Sequence, residues 1–342
     1  MNSFAGLGIL IISSLPAACG ILQPTRMVTE PASGTETPTN ELSVLTTQPA
    51  PTSTAVNALA GEIVFSAEGD VYVMNADGSG RIRLTTDPAE DFDPSWSPDG
   101  TQIAFRSHRD GDEEVYLMGA DGSNQSNLSN APGTDYSPAW SPDGGWIAFN
   151  SDRSGGGDIW IIRPDGTGLR QITDIPGVSE YPAWSPDGRR IAFHCTFGRV
   201  LPNGTGDFEI CVVNADGTGL VQLTDAPGES KLPAWSPDGL KIAFQTNRSG
   251  WPTLPDYVPP GYDSASFGDF EIYIMRIDGS GAVNLTNHPR EDDSFPAWSR
   301  DGHLIFSRYG CLMVMNADGS DLAPVGSCQD GGQFPDWYQP LQ

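Results

Sequence analysis

Lysine is nearly absent from this chain: Lys231 and Lys241 are the only two in 342 residues. Lysine and arginine together number 18 against 44 aspartates and glutamates, a formal net charge of −26 at pH 7. Phosphate backbones are held by basic patches, so this balance excludes duplex and single-stranded nucleic acid as partners. The surplus acid reads first as a solvated surface, and second as an attraction for cations or basic partners. Long apolar runs are missing too. The run from Phe4 to Leu15 has twelve residues, where a membrane-crossing helix needs about 20. The four histidines, His108, His194, His288 and His303, stand in no metal-ligand spacing and beside no nucleophile motif. No cofactor is expected.

What the chain has in abundance is one phrase, P-x-W-S-P-D-G-x-x-I-A-F. Its tryptophan falls at Trp96, Trp140, Trp184, Trp235 and Trp298, with a degenerate copy at Trp337. A second phrase, A-D-G or a relative after an apolar run, falls at Asp77, Asp121, Asp165, Asp216, Asp278 and Asp318. A third, L-T or a relative, follows at Leu84, Leu128, Ile172, Leu223 and Leu285. The basic period is 44 residues, the length of one four-stranded propeller blade.

The stretch from Tyr136 to Asp174 shows how one period folds. A short strand ends at Trp140. Pro142-Asp143-Gly144 then turns tightly, with proline presetting φ, aspartate bonding its own backbone and glycine taking the left-handed position. Trp146 to Asn150 is a second strand, apolar on both faces, as a strand covered by neighbouring blades should be. Asp158 to Ile162 is the third, and Leu169 to Thr173, after the Pro164-Asp165-Gly166 turn, is the outer strand. These phrases resemble the TolB-like β-propeller repeat, the Pro-Asp type related to WD repeats, from Gly61 to about Trp337. The resemblance implies an all-β fold: a six-bladed β-propeller of four-stranded antiparallel blades. The globular part opens on a second strand, Ile63-Val64-Phe65, and ends on an orphan inner strand, Phe334 to Tyr338. Pairing the two closes the ring and removes an open sheet edge.

Three regions follow. Residues 1–18 read as a signal peptide of lipoprotein type, since Pro16-Ala17-Ala18-Cys19-Gly20 resembles a lipobox with Cys19 as the lipidated residue. It departs from that pattern at Pro16, where leucine is usual. Residues 19–58 are rich in proline, threonine and serine and have no apolar period, so they read as a tether. Residues 59–342 are the propeller. The chain is expected outside the cytoplasm, held to a membrane only through the lipid anchor, as a monomer.

Four cysteines remain, an even number in an exported chain. Of three possible pairings, position favours Cys195 with Cys211 and Cys311 with Cys328, because each pair flanks one hairpin connection about equally.

Short turns after strands one and three share one face of such a propeller, and here they are nearly uniform. The variation lies on the opposite face, in the connections between strands two and three of blades four and five. The longer insert, Ser249 to Gly268, carries Trp251, Tyr257, Tyr262 and Phe267, aromatics suited to a sugar or a peptide. The segments entering the inner strands supply Asp91, Asp93, Asp135, Glu180, Lys231, Asp292 and Asp293, expected as a mostly acidic ring around the channel mouth. The D-G turns lack the ligand spacing of an EF-hand, with Val73 and Leu84 at the two end positions around Asp77. Propeller-capped serine peptidases resemble the repeat too, but they need a hydrolase domain that the polar 58-residue N-terminal tract is too short to be. TolB proteins carry an α/β domain ahead of the propeller where this chain has the tether, so the fold transfers more readily than the role. The expected function is non-catalytic binding or scaffolding in a bacterial envelope, with a protein, peptide or glycan held on the long-loop face. The alternatives are a polysaccharide-active enzyme using acids at the mouth, and a structural spacer.

Overall fold

The structure is a computed structural model and describes residues 59–198, 207–248, 270–288, 291–328 and 331–339. The described residues form six four-stranded antiparallel sheets. Blade two runs in simple order from the channel outward, through Asp91–Trp96, Gln102–Ser107, Glu114–Gly119 and the short outer strand Ser126–Asn127. Blades three to six repeat this from inner strands Asp135–Trp140, Ser179–Trp184, Ser230–Trp235 and Asp293–Trp298. Blade one takes its inner strand from the far end of the chain: Gln333–Tyr338 pairs with Glu62–Ala67, with Trp337 opposite Ile63 and Asp336 opposite Val64. The expected closure is present. It is reinforced across the junction, where the Trp96 N–H donates to Asp336 Oδ2 at 2.7 Å. At the same seam Gly100 (φ +70°) leaves room for the Tyr338 ring, which would lie 2.3 Å from an added Cβ.

The I-A-F strands are the core. Phe65, Phe105, Phe149, Phe193, Phe244 and Phe306 are fully buried, one per blade. Six apolar clusters fill the spaces between sheets, each drawing residues from two neighbouring blades. The repeated tryptophan stitches the blades together. The Nε1–H of Trp184 donates to the Ala139 carbonyl at 3.2 Å, Trp235 to Ala183 at 3.1 Å and Trp298 to Ala234 at 3.2 Å, each reaching one blade back.

The Ser-Pro-Asp-Gly turns are as uniform in space as in sequence. Ser97 donates to Asp99 at 2.7 Å, and Ser141, Ser185, Ser236 and Ser299 donate to Asp143, Asp187, Asp238 and Asp301 at 2.6 Å. These hydrogen bonds hold the aspartate carboxyls below their ordinary range at Asp99, Asp143, Asp187 and Asp238.

A second latch was not recognised in the sequence. The first residue of strand three is acidic in five blades and is bonded by a hydroxyl fifteen residues on: Asp70 by Thr85, Glu114 by Ser129, Asp158 by Thr173, Glu209 by Thr224 and Glu271 by Thr286. The same hydroxyl accepts the next backbone N–H, as Thr224 does from Ile210 at 2.8 Å. This fastens the short outer strand to the blade. In blade six that position is Cys311, and the Cys311–Cys328 disulfide stands in its place. The Cys195–Cys211 disulfide is also formed, so both pairings expected from hairpin symmetry are present.

Candidate functional site

Every inner strand carries the same irregularity where it lines the channel. Asp93, Ser137, Tyr181, Leu232, Phe295 and Phe334 all have φ between +48° and +59°, and the inner strands slip register there. Each precedes a proline. Left-handed φ is uncommon for such residues, and a bulge re-aims the side chain it carries. At two of the bulges the freed backbone N–H is taken by a polar residue from the preceding blade's second strand. Gln245 Oε1 accepts the Phe295 N–H at 3.0 Å, and His194 Nδ1 accepts the Leu232 N–H at 3.3 Å.

The six bulged residues and their prolines enclose a cavity of about 130 Å³ on the channel. It is two-sided. Asp93 and Ser137 make one wall polar. Tyr181, Leu232, Phe295 and Phe334 make the other apolar, with Tyr181 and Phe334 stacked 6.2 Å apart and only 5° from parallel. Phe295 packs against Phe334 with centroids 4.0 Å apart.

Glu180 joins blades three and four. It accepts from the Tyr136 hydroxyl at 2.8 Å and sits 3.1 Å from His194 Nε2. Because His194 Nδ1 is the acceptor for Leu232, its proton sits on Nε2, facing Glu180. Burial holds the His194 pKa below its ordinary value, so the ring is neutral near pH 7. Burial pushes the Glu180 carboxyl up, but the His194 and Tyr136 donors and the nearby Lys231 outweigh it and leave it below its usual range. Lys231 lies beside this group. Its ammonium pairs with Glu229 at 2.8 Å and stands 4.4 Å from the Phe208 ring and 5.9 Å from the Phe270 ring. Phe208 also meets His194 edge-on at 4.9 Å.

The acidic ring expected at the mouth is corrected for three of its members. Asp91 is 0%, Asp135 1% and Asp293 0% exposed, and each is bound by an arginine: Arg109 at 3.0 Å, Arg153, and Arg308 through two bonds of 2.6 and 2.8 Å. Those arginines lie over core rings, Arg109 on Phe105 and Tyr116, Arg153 on Phe149 and Trp160, Arg308 on Phe306. The three carboxylates therefore brace the blades instead of facing a ligand. Asp292 accepts from the Ser294 hydroxyl at 3.4 Å. Only Asp93, Glu180 and Lys231 of the expected ring reach the channel cluster. Trp251, Tyr257, Tyr262, Phe267 and Cys19 lie outside the described residues. The aromatic wall itself was missed. Its one signal in the sequence is the residue before each proline of the repeated phrase.

With this geometry in place, comparison with known proteins agrees with the repeat. The profile of the Tricorn protease N-terminal beta propeller domain matches residues 54–155. A protein TolB homolog of Chlorobium luteolum is 34% identical over 143 residues, 34% of this chain and 33% of that protein. A Tol-Pal system protein TolB of Anaeromyxobacter dehalogenans is 38% identical over 120 residues, 28% of this chain and 27% of that protein. The chain thus spans about a third or less of these relatives. TolB from Acinetobacter baumannii superposes with a TM-score of 0.65 at 20% identity, over 82% of this chain and 67% of that one. The putative TolB from Agrobacterium tumefaciens gives 0.60 at 19%, over 82% and 98%. These superpositions show the fold alone. The propeller is TolB-like in its repeats and in its architecture.

Proposed function

We propose that this TolB-like propeller is a non-catalytic binding module of a bacterial envelope, holding a protein, peptide or glycan on its long-loop face. The observation that carries the reading is the cluster around Lys231. Phe208 follows the blade-four insertion and Phe270 follows the blade-five insertion, and both rings flank one lysine ammonium beside Glu180. The two insertions that lengthen the 44-residue period are thus each followed by an aromatic residue of one cation–aromatic cluster. The short-turn face, by contrast, repeats one hydrogen-bonded turn almost without variation. Loops that vary on a rigid scaffold are where binding residues concentrate.

Binding is favoured over catalysis by how the acids are used. Asp91, Asp135 and Asp293 are tied to arginines, and both Glu180 oxygens face donors. A glycosidase needs two carboxyl groups free to flank a sugar. The Anaeromyxobacter dehalogenans relative is by name a Tol-Pal system protein, and a protein partner in the envelope is the corresponding role for this chain. Lipidation at Cys19 and the tether of residues 19–58 would hold the monomeric propeller near a membrane. Trp251, Tyr257, Tyr262 and Phe267 supply the contact area.

The test replaces residues 199–206 and 249–269 with the short connection that blade three uses from Ser151 to Gly157. The variant should keep its melting temperature and lose capture of partners from an envelope fraction. Undiminished capture would refute the proposal. Should the replacement unfold the domain, the triple variant Trp251→Ala, Tyr257→Ala, Tyr262→Ala asks the same question with the backbone intact.

A further inference from the structure

Asp93 is 5% exposed, and its Oδ1 accepts no hydrogen bond within the described residues. Its other oxygen accepts from Ser137 at 3.2 Å and lies 3.3 Å from Arg106 Nε. Arg106 does not belong to Asp93 alone. Its Nη1 is 2.7 Å from Glu113, and its guanidinium lies over the Phe92 ring at 5.0 Å. Two carboxyl groups share one guanidinium, so Arg106 alone cannot balance both when both are ionised. A buried carboxylate oxygen without a donor is costly. Phe334 of the neighbouring blade one and Tyr181, next in the ring after Ser137, flank the polar pair of Asp93 and Ser137, and aromatic ring faces attract cations.

We infer that the channel cavity is a binding site for an alkylammonium group, with Asp93 Oδ1 and Ser137 Oγ accepting its N–H bonds and the Tyr181, Phe295 and Phe334 rings enclosing its aliphatic stem. Size fits a single chain: about 130 Å³ is the space of roughly four waters. Donor count separates this ligand from a guanidinium. An ammonium has three N–H groups, which two oxygens and a ring face satisfy, whereas a guanidinium has five and would leave several buried without acceptors. A calcium ion would meet few protein oxygens here and would have to fill most of its six to eight positions with water. The inference rests on the binding role proposed above and names the chemistry at its centre. The bulged residues stand near the end of each inner strand that the long-loop face feeds, so a lysine side chain from a partner docked there and a free aliphatic amine are the two sources of this group.

Burial pushes the Asp93 pKa up, against the pull of Arg106 and Ser137 and with Glu113 adding to the rise. Tyr181, raised by its own burial, and the Glu180–His194 pair behind it are the other titratable groups on that side. A bound cation stabilises ionised Asp93, so where free Asp93 is protonated binding releases a proton, and affinity climbs as pH rises through the range in which it titrates.

The experiment titrates the intact chain with n-pentylamine, 1-pentanol and n-pentylguanidine by calorimetry. The amine is expected to bind, and both controls to bind at least roughly tenfold more weakly. Asp93→Asn should weaken the amine by roughly 10- to 100-fold and leave pentanol unaffected. In the wild type, where folding is not in question, amine affinity should rise with pH through the range in which Asp93 itself titrates. Equal binding of pentanol, or an amine affinity unchanged by Asp93→Asn, overturns the inference. An acetylated and amidated Ala-Lys-Ala peptide assigns the source: tighter binding than the free amine points to a partner's lysine, weaker binding to a small amine. If partners are captured in the loop-replacement assay but no amine binds, this inference fails while the binding role stands. If the amine binds and nothing is captured, the reverse holds.

Discussion

Glu209 offers the sharpest test of how this propeller holds its outer strands. It opens the third strand of blade four at 3% exposure, where the Thr224 hydroxyl donates to it. Burial, with Asp207 and Asp225 adding repulsion and Arg248 opposing it, raises its pKa from 4.5 to about 7. A rise of that size is worth about 3 kcal/mol between the two protonation states. The sign follows from proton counts. Below about pH 4.5 the group is protonated whether folded or not, and contributes nothing to pH dependence. Between 4.5 and 7 the unfolded chain has ionised while the folded protein still holds its proton, so stability falls as pH rises. Above about 7 the loss is complete. Glu209→Gln keeps an acceptor for Thr224 and removes the charge. The variant should match wild type at pH 4.5 and exceed it by up to about 3 kcal/mol at pH 8, a difference of roughly 5–10 °C in melting temperature. Thermal unfolding of both proteins, followed by circular dichroism across that range, measures it. Comparing them at equal pH cancels every other titrating group, including the turn aspartates, whose lowered pKa values act at more acidic pH. Parallel curves for the two proteins from pH 4.5 to 8 would refute the account.

Three further outcomes are expected. Trp337→Ala empties the closing strand's place in the blade-one core and removes its Nε1 bond to the Ala60 carbonyl, and should cost about 3–5 kcal/mol in denaturant unfolding; a loss under 1 kcal/mol would mean the ring is closed by other contacts. Reducing the disulfides, or Cys195→Ser with Cys211→Ser, opens a link across 16 residues and should cost about 2–4 kcal/mol, read as a shift in midpoint; an unchanged midpoint would assign the pair no stabilising role. Cys19→Ser should move the protein from the membrane to the soluble fraction, and unchanged fractionation would end the lipoprotein assignment.

Much of the fold was legible because the blade repeats. Tryptophan before Ser-Pro-Asp-Gly marks each inner strand, and five near-copies in phase leave little freedom of register. Closure was legible for a different reason: Ile63 to Phe65 lacks an inner neighbour and Phe334 to Tyr338 lacks a blade. The disulfide pairing was legible from hairpin spacing, although Cys195 stands opposite Glu209 and reaches Cys211 diagonally. The acid–hydroxyl latch has an equally regular spacing, Glu209 to Thr224 and Asp70 to Thr85 alike, but an acid in so acidic a chain reads as surface. The arginines bound to Asp91 and Asp135 were hidden likewise, because an 18-residue separation across a loop carries no local pattern. In blade four Ser179, Cys195, Phe197 and Cys211 replace the Asp91, Ser107, Arg109 and Tyr116 of blade two, exchanging that polar brace for a covalent one.

Sequence by itself determined the blade, its count and its closure, since these depend on turn chemistry and on an apolar pattern that must be buried whatever the details. Tertiary structure alone decided which acids face the channel. Asp91 and Asp93 are two residues apart and would share a face on a regular strand. The left-handed residue at Asp93 breaks that alternation. Asp91 turns into the blade to meet Arg109, and Asp93 turns to the cavity that Ser137, Tyr181 and Phe334 also line. At Leu232 and Phe295 the backbone N–H that the bulge frees needs a partner from the neighbouring blade, which His194 and Gln245 supply. That condition spans two blades, and no local reading of residues contains it.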